Sequence, residues 1–178
     1  MSLAPPVPRV PHLILGGARS GKSTYAESLI SRLAPPYVYV ATAQVLDAEM
    51  AHRVQKHQER RRRDWVTHEC PLELPQLLQS LQGHHRPVLV DCLTLWLSNL
   101  LLQEGASSPE AVVEALARWI PTADYPLFFV SNEVGGGIVP ENPLARRFRD
   151  LSGWTNQRMA TLCAGVTLVV AGLPLALK

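Results

Sequence analysis

The sequence predicts an α/β fold with a mostly parallel sheet covered by helices on both faces. Two observations carry this prediction. Apolar runs short enough to be buried strands alternate with stretches of helical periodicity, and the first run leads into a glycine-rich loop that opens a helix. No repeat, low-complexity tract or internal linker interrupts the 178 residues. That length suits one domain over residues 12–178, behind a flexible, proline-rich lead-in over residues 1–11.

The elements follow in order. Residues 12–15 form a short buried strand, and residues 23–33 a helix with Ala26, Leu29, Ile30 and Leu33 on one face. Residues 37–42 form a second buried strand. Asp47 is an N-cap for a helix over residues 48–62, which becomes heavily basic at its end. Residues 65–74 read as irregular or extended, and residues 74–81 as a helix. A third core strand, residues 87–91, ends in an acid, Asp91. Helices over residues 93–102 and 109–119 are split by a turn signal at residues 104–107. A fourth strand, residues 127–131, runs into a flexible glycine-rich loop at residues 132–137. Asn142 and Pro143 are the N-cap and first residue of a long helix. Its stripe is Leu144, Phe148, Leu151, Thr155, Met159 and Leu162. The last strand covers residues 166–171 and continues into a hairpin partner that reaches Lys178.

Composition is ordinary for a soluble globular protein, at 47% hydrophobic and 18% charged residues. The net charge of +2 creates no global field for nucleic acid. Cys70, Cys92 and Cys163 are scattered and odd in number with no C-x-x-C pair, which argues against disulfides or zinc and suits a reducing cytosol. Residues 1–11 carry four prolines and no apolar core, so no signal peptide is visible. The longest apolar run, residues 166–177, is broken by Gly172 and Pro174 and is too short for a membrane span. A soluble, cytoplasmic chain is the expectation.

The most informative stretch is Gly16, Gly17, Ala18, Arg19, Ser20, Gly21, Lys22 and Ser23, which fits G-x-x-x-x-G-K-[ST], the phosphate-binding P-loop. Its glycines let the backbone curl round an anion with N–H groups pointing inward, and the following helix adds partial positive charge. Lys22 then reaches the outer phosphates of ATP or GTP, and the Ser23 hydroxyl ligates Mg²⁺. Asp91, an acid at the carboxyl end of an apolar strand, has the Walker-B position and is the second candidate metal group. A strand-end aspartate that merely caps the next helix is the plainer alternative.

His57 admits two readings. Met50 and Val54 share its helical stripe, which suits a partly buried histidine at the packing edge. Arg53, Arg60 and Arg61 flank it at helical spacing, which suits a neutral, nucleophilic imidazole beside groups that grip phosphate. The run Arg60 to Arg63 fits a solvated helix end equally well. His68, beside Glu69, is a weaker ligand candidate, and His84 and His85 lie in a polar loop. Glu133 and the glycines Gly135, Gly136 and Gly137 follow a strand end, where ligands sit in open α/β sheets. Such a loop serves as a lid or lets backbone approach a bulky ligand, unless it is a plain flexible connection.

Together these residues resemble the bifunctional adenosylcobinamide kinase / adenosylcobinamide-phosphate guanylyltransferase family of cobalamin biosynthesis. The matching pieces are the P-loop, Tyr39 to Ala43, Asp47 to Met50, Arg53 to His57, Trp65 to Leu72 and Asp91 to Thr94. Most specific is Asn132 to Asn142, followed by Arg146, Phe148, Arg149, Asp150, Gly153, Asn156 and Gln157. The resemblance covers residues 12–178 in order. It implies a RecA-like fold, a propeller-shaped homotrimer, and two reactions: phosphorylation of adenosylcobinamide by ATP or GTP, then transfer of GMP from GTP through a guanylyl-histidine. It aligns that histidine with His57. It aligns nucleotide contacts with the P-loop, Ala41, Thr42, Ala43, Gln58, Glu59, Arg60, Arg61, Glu69 and Asp91. Arg53, Glu133, Gly135, Gly136 and Gly137 are candidates for the second substrate. Lys56 stands where some relatives carry a second histidine. Two rival functions remain: a single-activity P-loop kinase of another metabolite, which needs no His57, and a RecA-like nucleic-acid-binding ATPase, which needs a basic binding surface.

Overall fold

Strand β1 (His12–Gly16) is buried along its whole length. In the computed structural model, which describes residues 7–44, 64–103 and 107–178, it lies parallel between β5 (Leu127–Asn132) and β6 (Gly165–Val170). The predicted helix over residues 48–62 with its Asp47 cap, residues 1–6 of the lead-in, and residues 104–106 of the turn signal lie outside the described residues. Beyond β5 come β4 (Val88–Asp91), β2 (Tyr37–Ala41) and, at one edge, β3 (Trp65–Glu69), all parallel. At the other edge β7 (Leu173–Ala176) returns antiparallel on β6. Among the described residues the order is β3-β2-β4-β5-β1-β6-β7.

The period-2 geometry of the strands sends neighbouring side chains to opposite faces, and both faces are dry. On one, Ile14, Tyr39, Leu89, Phe128 and Val130 pack with Ala26, Leu29 and Ile30 of α1 (Lys22–Ile30). On the other, Leu13, Val40, Val90 and Phe129 pack beneath α2 (Leu74–Ser80), α3 (Leu93–Leu102), α4 (Pro109–Trp119) and α5 (Pro143–Leu162). Each fully buried Leu, Ile or Phe there contributes about 1.5–3 kcal/mol. Helix starts obey their caps. The Ser108 side chain accepts from the Ala111 amide, and that of Asn142 from Leu144 and Ala145, with Pro109 and Pro143 in the first turns.

Three expectations need adjustment. α1 stops at Ile30 rather than residue 33, because Arg32 and Leu33 tighten into turns and Pro35 and Pro36 then force extended chain. Residues 65–69 are a strand: Trp65 packs on Tyr37 at 4.9 Å, while Val66, Thr67 and Glu69 face solvent as an edge strand allows. The stripe of α5 does not include Leu144, which is 47% exposed in the first turn of the helix. In its place the buried face carries Ser152 and Asn156 beside Leu151, Thr155 and Met159. All three cysteines are free and buried, and burial pushes the thiols up, Cys92 to about 11 and Cys163 to about 12. They are protonated at neutral pH and so poor nucleophiles. Among the described residues no helix is long and apolar enough to cross a membrane.

At the amino end of β1 sits a buried imidazole. His12 Nδ1 is 3.0 Å from the Arg9 carbonyl and Nε2 is 2.9 Å from the Thr167 hydroxyl. Burial, partly offset by the Arg9 carbonyl, holds its pKa below the ordinary 6.5. The folded state therefore favours the neutral ring, and its stabilisation is complete above pH 6.5 and declines as pH falls, when the unfolded chain takes the proton first. Thermal melts between pH 7.5 and 5 should show a falling midpoint. In His12→Gln, which cannot charge, that dependence should be shallower.

Candidate functional site

The carboxyl ends of the parallel strands meet at one edge of the sheet, the position where open α/β folds bind ligands. Gly16, Gly17, Ala18, Arg19, Ser20 and Gly21 connect β1 to α1, with Arg19 and Gly21 at positive φ (55° and 93°). Gly17, Ala18 and Arg19 are exposed, and α1 starts without a side-chain cap. Its first amides therefore need an acceptor from outside the helix. Glycine is required at residue 16, because a Cβ there would collide with Ser20 Oγ and stand 2.6 Å from the Val169 carbonyl. Lys22 reaches back, its Nζ donating to the Gly17 carbonyl at 3.1 Å.

A second turn braces this loop. β6 and β7 are joined by Ala171 and Gly172, both at positive φ (51° and 80°), as tight hairpin turns demand. The Gly172 amide donates to the Ser20 carbonyl at 2.8 Å. A Cβ on Gly21 would lie 3.2 Å from Gly172 Cα, so the two turns touch backbone to backbone.

Asp91 ends β4, two strands away from the loop, half-buried and paired with Ala41 on one side and Val130 on the other. Ala41, Thr42 and Ala43 lie beside it, and Glu69 is exposed at the end of β3 next to Ala41. Thr42 is wholly buried and fully engaged. Its hydroxyl donates to the Cys92 carbonyl (2.7 Å) and accepts from the Cys92 amide (2.8 Å), and its carbonyl accepts from Asn99 Nδ2 (2.8 Å). Thr42 thus positions the chain after Asp91 and has little left for a ligand. His57, Arg53, Gln58, Glu59, Arg60 and Arg61 lie outside the described residues.

The glycine loop after β5 is tethered. Glu133 Oε1 accepts from the Gly135 amide (2.8 Å), and Arg149 Nη2 donates to the Gly135 carbonyl (2.7 Å). Arg146 holds the Pro140 and Glu141 carbonyls at 2.9 and 2.6 Å. Gly136 and Gly137 meet nothing within 4 Å of an added Cβ, and Ile138 and Val139 beyond them are 96% and 64% exposed.

Sequence reasoning missed a polar network under the strand ends. Ser131 Oγ donates to Asn156 Oδ1 (2.7 Å), Asn156 Nδ2 donates to the Asn132 carbonyl (3.0 Å), and the Asn132 amide donates to Thr94 Oγ1 (2.6 Å). The available signal was Thr94, Ser131 and Asn156 at positions that helix and strand periodicity assign to the core.

Strand, glycine loop and helix, with an acid at the end of β4, define a P-loop α/β fold of the RecA-like kind. The family model described as CobU, cobinamide kinase / cobinamide phosphate guanyltransferase, matches residues 12–177, and the chain belongs to that family. It is 46% identical over 166 residues to the bifunctional adenosylcobalamin biosynthesis protein CobP of Pseudomonas aeruginosa, covering 93% of this chain and 96% of that one. It is 40% identical to the bifunctional adenosylcobalamin biosynthesis protein CobU of Salmonella typhimurium, covering 93% and 98%. Among solved structures, a prototypical ATPase from the type III secretion system of pathogenic bacteria shares the fold. Its TM-score is 0.54 at 12% identity, covering 93% of this chain and 56% of that one.

The crowding at residue 16 yields a direct expectation. Gly16→Ala should destabilise the protein by about 2 kcal/mol, the usual scale for a forced fit. It should also weaken GTP binding, measured by calorimetry, because the cradle must open to admit the methyl group.

Proposed function

We propose that this chain carries out both reactions of its family on one nucleotide site. The observation that supports this most is the braced phosphate cradle at residues 16–23, facing Asp91 across the strand ends. In the first reaction the aminopropanol hydroxyl of adenosylcobinamide attacks the γ-phosphorus of ATP or GTP. The new O–P bond forms as the bond to the nucleoside diphosphate breaks, and the hydroxyl proton passes to a base or solvent. The P-loop amides and Lys22 hold the triphosphate and neutralise its charge.

In the second reaction a neutral His57 nitrogen attacks the α-phosphorus of GTP and pyrophosphate leaves, giving a phosphoramidate. A phosphate oxygen of adenosylcobinamide phosphate then attacks that phosphorus, the P–N bond breaks, and adenosylcobinamide-GDP departs with His57 restored. In this reading Arg53, Arg60 and Arg61 stabilise the departing pyrophosphate. Gln58, Glu59 and Glu69 contact the nucleotide in the same reading.

The site suits Mg²⁺. Among the described residues no three His, Cys, Asp or Glu side chains gather to hold a metal. Mg²⁺ needs no such cage, since it keeps several waters and binds through one or two protein oxygens plus phosphates. Ser23 and Asp91 are those oxygens, and the ion supplies charge neutralisation when bound. The tethered loop with Glu133, Gly135, Gly136 and Gly137, tipped by exposed Ile138 and Val139, suits the bulky corrinoid. Homotrimer formation and a cytoplasmic location complete the proposal. The exposed apolar residues Leu173 and Leu175 on edge strand β7 favour the first, and the free, buried cysteines the second.

Two labelling experiments test the chemistry. Protein incubated with α-labelled GTP should retain the label covalently, whereas γ-labelled GTP should leave none. The bond should break in acid and survive alkali. His57→Asn should retain no α label yet keep most of its kinase activity, and a labelled asparagine variant would move the nucleophile elsewhere. Lys22→Ala should lose both activities by at least about tenfold, as one tenfold step needs only about 1.4 kcal/mol of lost phosphate contact.

A further inference from the structure

The carboxyl end of β5 holds a side chain with an unmet bonding demand. Asn132 Oδ1 is buried and, among the described residues, has no hydrogen-bond partner. A buried carbonyl-type oxygen left unpaired costs about 1–3 kcal/mol. Such an atom at a ligand site calls for an explanation, and a water or ion that arrives with the ligand is one.

Its position is well defined. β5 lies between β4, which ends in Asp91, and β1, which leads into the P-loop, and Asn132 is the register partner of Gly16. Partners in a parallel pair share a face. The missing Cβ of Gly16 aims at Ser20 Oγ, so the Asn132 side chain emerges on the P-loop face of the sheet. Alternation along β5 agrees, since Phe128 and Val130 belong to the α1 side. Ser20 Oγ is likewise buried without a partner among the described residues, so two such polar atoms flank Gly16.

The backbone of Asn132 is immobilised on its other side. β4 has already turned into α3, and side chains replace it: Thr94 takes the Asn132 amide at 2.6 Å and Asn156 supplies its carbonyl at 3.0 Å. The Glu133 amide adds a bond to the Gly16 carbonyl at 3.1 Å. Three contacts therefore fix this residue against the loop while its own amide oxygen stays open.

An amide oxygen only accepts, so phosphate oxygens are not its partners. The P-loop amides face the anion, and Lys22 is held by Gly17 and serves the phosphates. Among the donors that arrive with a nucleotide, the waters that Mg²⁺ retains are the ones that lie beside the phosphates. Resting on the nucleotide reading above, we propose that Asn132 Oδ1 accepts a hydrogen bond from a water of the nucleotide-bound Mg²⁺. Asn132 thereby fixes the metal relative to Gly16 and Asp91, with Thr94 and Asn156 as its positioning residues.

The test is calorimetric titration of the full-length protein with GTP, in excess Mg²⁺ and in chelator, beside thermal melts. Asn132→Ala should weaken Mg·GTP binding about tenfold, leave metal-free GTP binding unchanged, and not lower the melting temperature. Asn132→Asp, which keeps the acceptor oxygen, should hold Mg·GTP affinity within about threefold of wild type. Equal losses with and without Mg²⁺ would overturn the proposal in favour of direct nucleotide contact. Unchanged Mg·GTP affinity, or a lowered melting temperature with losses in both conditions, would overturn it in favour of a purely structural residue. Wild-type protein that binds no GTP at all would instead sink the nucleotide reading itself.

Discussion

The phosphate cradle keeps its shape because two turns touch without side chains between them. Gly21 ends the P-loop and Gly172 ends the hairpin turn, and the Gly172 amide closes on the Ser20 carbonyl at 2.8 Å. Everything else at the site inherits its position from that contact and from the sheet beneath it. β1 fixes Gly16 between β5 and β6, so the loop departs from a strand bonded on both sides. A lone glycine-rich turn would sample many shapes; this one is held at both ends and at its middle.

A second layer of order comes from polar side chains buried below the strand ends. Parallel strands that turn into helices at different heights leave backbone groups unpaired, and buried unpaired groups are expensive. Thr42 answers this for Cys92, and Thr94 with Asn156 for Asn132. Asn99 ties the Thr42 and Pro71 carbonyls together from α3. These residues form no part of the apolar cores, yet they set the spacing between Asp91, the end of β2 and the root of the glycine loop. Geometry at the surface is thus determined one layer down.

Much of this was legible in the sequence, for identifiable reasons. The strands at 12–16, 88–91 and 127–132 are dense apolar runs, and the long helix α5 announces itself through Asn142-Pro143. The P-loop was legible because its chemistry constrains letters and spacing together. Edge strand β3 was not, since only Trp65 of its side chains packs on aromatic neighbours and its solvent-facing residues blur the pattern. Asn132 and Asn156 stood out only through the family resemblance, and their buried bonding roles escaped notice because an asparagine has the same local signature whether it faces water or completes a buried ladder. The bracing of Ser20 by Gly172 is invisible to any local window, as is the tethering of Gly135 by Arg149.

The contact between Ser20 and Gly172 also bears on how the molecule is made. A chain emerging from the ribosome presents its P-loop well before its hairpin. The loop letters are translated early, but the peptide group that steadies them is translated more than a hundred residues later. Contacts of such sequence separation form late because the intervening chain must first be closed into a loop. A nascent chain therefore carries its nucleotide motif for more than a hundred residues of synthesis without the support that gives the motif its final shape. The loop reaches its final shape only once the hairpin has been made and has docked beside β1.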